Sequence, residues 1–169
     1  MSVKSPEEMF VNLLSHTRHN TERSAKIYEE FSQIAQDPEV KEALDARAWI
    51  CQKDLEAIDR CFELIGQKPV KFSGRLEEMF VENFREELAE IQNPVAKKLF
   101  VLAKANHLNH RRIAEYVVLV AAADVSGHYA VGVLLESCLS DKLAFVERNR
   151  RLLRKVVEAR VAERVGALV

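Results

Sequence analysis

The chain has 169 residues, of which 48% are apolar and 30% charged, a globular composition with room for one good-sized domain over residues 1–169. Its 25 basic and 26 acidic residues leave a net charge of −1, which removes the electrostatic case for a nucleic-acid binder. The longest apolar run, Tyr116 to Ala123, has eight residues, where a membrane span needs about 20.

Breakers are few, and each marks a helix start. Ser5-Pro6-Glu7-Glu8 supplies an N-cap, a first-turn proline and two acids suited to the positive end of a helix dipole. Asp37-Pro38-Glu39 and Asn93-Pro94 repeat the cap-plus-proline arrangement. GQKPVKFSG at 66–74 is the one real loop, and Ser126-Gly127 is a short turn. These marks predict helices over about 6–36, 38–65, 74–92, 94–123 and 127–164.

Apolar residues recur in each segment with a period near 3.6. The first stripe runs through Phe10, Leu14, Thr17, Thr21, Ser24, Tyr28 and Phe31, the second through Val40, Leu44, Arg47, Cys51, Leu55, Ile58 and Phe62. The third takes Leu76, Phe80, Asn83 and Leu88, and the fourth Leu99, Leu102, Asn106, Asn109/His110, Ile113 and Tyr116. The fifth takes Val131, Leu135, Cys138, Phe145, Leu152 and Val156. Nothing alternates with period two, so the chain reads as all-α. Helices this long with short connections pack as antiparallel neighbours in a bundle. The repeat of EEMFV at 7–11 and 77–81, both at helix starts, fits a duplicated helix pair.

Polar residues interrupt four of the five stripes near their middles: Thr17, Thr21 and Ser24, then Arg47, then Asn83, then Asn106, Asn109 and His110. A buried amide or hydroxyl costs about 1–3 kcal/mol unless it finds a partner. A matching set on four helices therefore predicts a shared polar centre inside the bundle. Such centres often hold metal, but a di-iron site wants about four Glu and two His. This layer offers almost no carboxylate.

With these features the sequence resembles the YciE/YciF group of bacterial ferritin-like stress proteins. The residues that carry the resemblance are DPEVKEAL (37–44), RCFELIGQKP (60–69), NHRRIAEY (109–116) and SGHYAVGVLLESCL (126–139), in family order over about residues 8–150. The resemblance implies a ferritin-like up-and-down four-helix bundle with an additional fifth helix, a dimer, and a di-metal carboxylate centre in many members. Carried over by position, the first-helix glutamate falls on Thr21, beside Glu22. The second-helix His and Glu fall on Arg47 and Ile50, and the third-helix glutamate near Asn83, beside Glu82. The fourth-helix glutamate pair falls on Asn109 and Arg112, with the neighbouring histidine kept as His110. Nearly every implied ligand is replaced, so the expectation is a degenerate site with no metal, no cofactor and no catalytic residue.

Each residue has a plain and a sharper reading. Thr21, Asn83 and Asn109 form a register-fixing hydrogen-bond network, or belong to a rearranged ligand set. Arg47 and Arg112 snorkel to solvent, or a guanidinium takes the space and charge of a lost metal, paired with Glu22, Glu82 or Glu87. His107 and His110, three apart, have spacing compatible with one metal. Glu22, Glu82, His107 and His110 are thus the alternative iron ligands, with peroxide or ferrous-iron oxidation as the alternative activity. Cys51, Cys61 and Cys138 form no metal-type or redox-type pair and read as reduced core fillers. With an amino terminus lacking signal-peptide character, they point to the cytoplasm. From Glu147 to Val169 there are seven basic and three acidic residues, a net of +4, on an amphipathic helix. That helix is expected to pack on the bundle or a second subunit, with a protein partner as a further possibility and neither nucleic acid nor membrane contact expected.

Overall fold

The computed structural model describes residues 3–72 and 75–166. Five helices follow in order: α1 (Pro6–Ile34), α2 (Pro38–Ile65), α3 (Arg75–Glu90), α4 (Pro94–Val125) and α5 (Tyr129–Gly166). Three of the starts are capped as their sequences dictate. The Ser5 hydroxyl accepts from the Glu8 N–H, the Asp37 carboxylate from Glu39 and Val40, and the Asn93 side chain from Ala96. Each satisfies backbone donors that a helix start leaves free. Gly66 stops α2 in the left-handed region at φ 65°, a conformation that costs glycine nothing.

Four helices form the bundle, and links at two levels for each pair, the second being Ser32–Asp45, Glu42–Arg148, Asn109–Lys142 and Asn20–Glu115, show each antiparallel to both neighbours. Arg18 pairs with Asp59 across α1 and α2, and Asp54 with Lys142 across α2 and α5. Asn149 reaches the Leu102 carbonyl across α5 and α4, and Tyr28 the Ala105 carbonyl across α1 and α4. The α2-to-α4 connection returns along the outside and carries α3, which lies over the groove between α1 and α4. Val70 N–H donates to the Ser15 hydroxyl at its start, and Phe84 packs on Phe31 and Phe100 at its end. All-α and ferritin-like, the chain has four bundle helices plus one additional helix.

The interior divides along the bundle axis. One apolar cluster gathers Phe31, Leu44, Phe84, Leu102 and Leu152, and the other Phe10, Leu14, Ile58, Leu119 and Leu135. Between them lies a slab where polar side chains are as buried as the leucines. The fifth helix outruns the bundle: Lys155 pairs with Glu39 beside the start of α2, and every residue from 157 to 166 is exposed.

The third helix departs from its expected register. Leu76 is 63% exposed, whereas Glu77 and Phe84 are buried and Phe80, Val81 and Leu88 are partly covered. Packed on two neighbours from outside, α3 buries a narrow strip instead of a bundle stripe, and Asn83 falls on its solvent side. The fourth helix continues to Val125, two residues past its expected end, because Ser126 and Gly127 make the turn. Residues 1–2, 73–74 and 167–169 lie outside the described residues; 73 and 74 are the end of the predicted loop, and 167–169 follow the predicted end of the fifth helix near 164.

Candidate functional site

At the bundle centre one carboxylate serves two cations. Asp54 of α2 accepts a hydrogen bond from Lys142 Nζ of α5 at 2.7 Å, and Arg47 Nη1 lies 3.6 Å from the same Oδ2 atom. All three side chains are at most 2% exposed. Seven residues separate Arg47 from Asp54, two turns on one helix face, so the long guanidinium arm spans the gap along the axis.

The remaining bonds of this cluster go to uncharged groups. Arg47 Nε donates to Asn109 Oδ1 at 3.3 Å, and Asn109 Nδ2 donates to the Lys142 carbonyl at 2.9 Å. Lys142 Nζ also donates to the Cys138 carbonyl at 3.0 Å and sits 3.7 Å from the centre of the Tyr116 ring. The Arg47 guanidinium lies between the rings of Tyr28 and Phe145, at 5.5 and 6.0 Å. These π faces stabilise cations where no second carboxylate is present. Burial pushes the Lys142 pKa down, Asp54 opposes that shift and Arg47 adds to it. Burial likewise raises Cys61 to about 11 and Cys138 to about 12, which keeps both as inert thiols.

A second cluster lies to the side, where α3 closes over α4. Arg112 Nη2 stands between two carboxylates, 3.0 Å from Glu77 Oε1 and 3.1 Å from Glu115 Oε1. Arg111 adds a half-exposed contact to Glu77 at 3.1 Å. Asn20 of α1 donates to Glu115 at 2.9 Å and contacts His16 Nδ1 at 3.2 Å. Burial raises the Glu115 pKa, against the pull of Arg112 and the Asn20 hydrogen bond.

Not all of the expected site residues meet here. Thr21, Arg47, Asn109 and Arg112 are buried in the layer, whereas Ile50 is only half-buried on α2. Asn83 and His110 are exposed, the latter bonded through Nδ1 to the Asn106 carbonyl one turn back. The alternative ligands Glu22, Glu82, His107 and His110 are all exposed, on three different helices, and His107 stands edge-on to Phe80. The guanidinium partners also differ from expectation. Arg47 pairs with Asp54, and Arg112 with Glu77 and Glu115, whereas Glu87 is taken by Lys104.

Asp54, Lys142, Glu77 and Glu115 were missed because a stripe drawn through apolar residues steps over them. The fifth stripe jumps from Cys138 to Phe145 and from Phe145 to Leu152, and Lys142 and Asn149 fill those gaps. Two seven-residue gaps in a four-three rhythm were the available signal.

This donor set does not fit a di-metal centre. Two dications need several anionic oxygens, and the single central carboxylate is already shared by two buried cations. Among the described residues no group of three or more His, Cys, Asp or Glu side chains is arranged to hold a metal.

The chain matches, over residues 5–162, the family described as a domain of unknown function (DUF892), and it belongs to that family. Its fold is shared with the E. coli stress protein YciF, with a TM-score of 0.86 and 21% identity, covering 92% of this chain and 99% of that one. YcfI from Rhodopseudomonas palustris is similar at a TM-score of 0.81 and 22% identity, covering 89% and 94%. A protein from Xanthomonas campestris aligns at 0.69 and 20%, covering 92% and 99%. A comparison with curated protein sequences finds no match.

Proposed function

We propose that this family member is a cytoplasmic, homodimeric, stress-associated bundle whose di-metal centre has been replaced by a metal-free ionic network, leaving a structural or interaction role. The observation that carries the reading is Asp54 held between Arg47 and Lys142 at the middle of the bundle. A cation entering there meets two basic groups already sharing the one carboxylate, and one of them is a guanidinium that does not lose its proton. The stress setting is supported by the shared fold with YciF. A cytoplasmic setting is compatible with three buried free thiols, and no described helix is long and apolar enough to cross a membrane.

In this role the centre holds helices together. Asn109 ties α2 to α5, Asp54 ties α2 to α5 again, and Arg112 ties α4 to α3. Charged contacts of fixed geometry specify one register where apolar packing tolerates several. The test is elemental mass spectrometry of the purified protein before and after anaerobic incubation with ferrous iron. The expected stoichiometry is near zero in both states. One or two metals per chain, retained after gel filtration and lost on Glu77→Gln or Asp54→Asn substitution, would overturn the proposal and reopen ferrous-iron or peroxide chemistry.

A further inference from the structure

The middle of the bundle leaves a set of hydrogen-bond donors without acceptors. Thr21 Oγ1, Ser24 Oγ, Arg47 Nη1 and Nη2, Arg112 Nε and Nη1, and the Tyr116 hydroxyl have no hydrogen-bond partner in the protein. Arg47 Nη1 stands 3.6 Å from Asp54, beyond hydrogen-bond reach. All five residues are at most 1% exposed, so bulk water does not serve them. Native interiors rarely leave buried donors unpaired, least of all charged ones, and such groups point to a bound ion or water.

These groups converge from three helices. On α1, Thr21 and Ser24 lie between the two ties to α4, Asn20–Glu115 and Tyr28–Ala105, and Arg112 lies between the same ties on α4. Arg47 of α2 reaches that level through its bond to Asn109, one turn from Arg112. The Tyr116 hydroxyl stands near Thr21 without a bond of normal geometry. Burial raises the pKa of the Tyr28 hydroxyl and of the Cys51 thiol, and Arg47 and Arg112 both pull each of them back down. The two guanidinium groups therefore act on one shared space.

The carboxylates at this level are already engaged. Asp54 Oδ2 takes Lys142, while Glu77 and Glu115 take the remaining nitrogen of Arg112, Nη2. The unpartnered acceptors Asn20 Oδ1 and Glu115 Oε2 belong to the lateral cluster and make no bond to these donors. Around Arg47, two basic groups face one carboxylate, a surplus that a single monovalent anion balances. Shedding the Lys142 proton removes that surplus yet leaves both guanidinium groups with the same unused hydrogens. A water molecule brings hydrogens of its own that compete with these donors, whereas an anion only accepts. A halide accepts from any direction, which suits hydroxyl and guanidinium groups arriving from three helices. A sulfate brings a second charge and several oxygens to satisfy.

We infer that the centre of the bundle binds one halide ion of chloride size, held by Arg47 and Arg112 with the Thr21, Ser24 and Tyr116 hydroxyls around it. This rests on the metal-free centre proposed above and gives it an occupant. The charge logic of a di-metal site is inverted: the protein supplies the cations and the solvent supplies the anion. Charge-assisted hydrogen bonds in a dry interior are stronger than those in water. The ion ties α1, α2 and α4 at one point, so halide concentration sets part of the stability.

The test has a structural and a thermodynamic arm. Crystals grown with sodium bromide as the halide should show one bromine anomalous peak per chain between Arg47 and Arg112. In solution, sodium bromide replaces sodium gluconate at constant ionic strength. The melting temperature should stay flat up to the dissociation constant and then rise with the logarithm of bromide concentration. Thr21→Val removes one donor at nearly unchanged volume and should move that onset to roughly tenfold higher bromide, the effect of one hydrogen bond to a charged group. Ser140→Ala, at an exposed position on α5, should leave the onset in place. No central peak and equal melting in bromide and gluconate overturn the halide and leave the metal-free centre standing. A rise that Thr21→Val shares in full, again without a central peak, is a general salt effect and overturns it too. A metal at the same point, identified by its own absorption edge, overturns both.

Discussion

The deep and lateral charge clusters carry opposite surpluses. In the deep one, Arg47 and Lys142 share Asp54, an excess of positive charge. In the lateral one, Glu77 and Glu115 share Arg112, an excess of negative charge that the half-exposed Arg111 offsets from outside. Each surplus falls on a group able to shed it. Burial moves Lys142 down towards its neutral amine and Glu115 up towards its neutral acid. Arginine has no such option, and both guanidinium groups keep a carboxylate close by. A buried network can thus tolerate unequal charge when the odd group is a lysine or a glutamate. Depth separates the two as well. Asp54 is 2% exposed, whereas Glu115 retains 23% and water can screen it.

This contrast ranks the consequences of breaking each cluster. Asp54→Ala strands two buried cations together, and the expected loss of stability is about 3–5 kcal/mol, read from urea unfolding. A loss under about 1 kcal/mol would put Asp54 in the class of surface pairs and remove the distinction between deep and lateral sites. Glu77→Gln leaves Arg112 still paired with Glu115, so a smaller loss of about 1–3 kcal/mol is expected in the same assay. Should it match or exceed the Asp54→Ala effect, the lateral cluster is the true keystone.

The smallest effect is a pH dependence at Glu115. Its folded pKa lies above the ordinary value of 4.5, so as pH falls the folded state takes up this proton before the unfolded state does. The cost of its charge is fully present above the folded pKa and is gone once pH has fallen to the unfolded value. Wild type should therefore gain stability relative to Glu115→Gln as the pH is lowered through that window. A constant difference between the two proteins from neutral pH to pH 4 would show that Glu115 is solvated.

Some of this centre was legible in the residues themselves. Thr21, Arg47, Asn109 and Arg112 are polar residues at positions of apolar period or of implied ligands, and each is buried. Asn83 and His110 looked equivalent and are exposed. For His110 the difference is a single residue: Asn109 and His110 both sat within reach of the stripe, and a rotation of 100° sends one inward and the other to solvent. Asn83 failed for another reason. Periodicity gives a helix its apolar side but not its place, and α3 lies outside the bundle, so its inner side meets only α1 and α4. Glu77 was illegible because long charged side chains are ordinarily solvated and nothing local distinguishes it from the rest, whereas Lys142 was marked only by the gap it fills between Cys138 and Phe145.

Read alone, the sequence determined the features that depend on neighbours along the chain. Ser5, Asp37 and Asn93 before prolines set three helix starts, Gly66 and Gly127 allowed two turns, and the 3.6 period made every segment helical. These are short-range effects of backbone hydrogen bonding and sterics, and a one-dimensional pattern holds them in full. Tertiary structure alone decided which charges share a centre and which helix stays outside. Asp54 and Lys142 are 88 residues apart in the chain and 2.7 Å apart in space. Their pairing depends on the phase of two helices fixed by the apolar clusters above and below, and no local signal carries that phase.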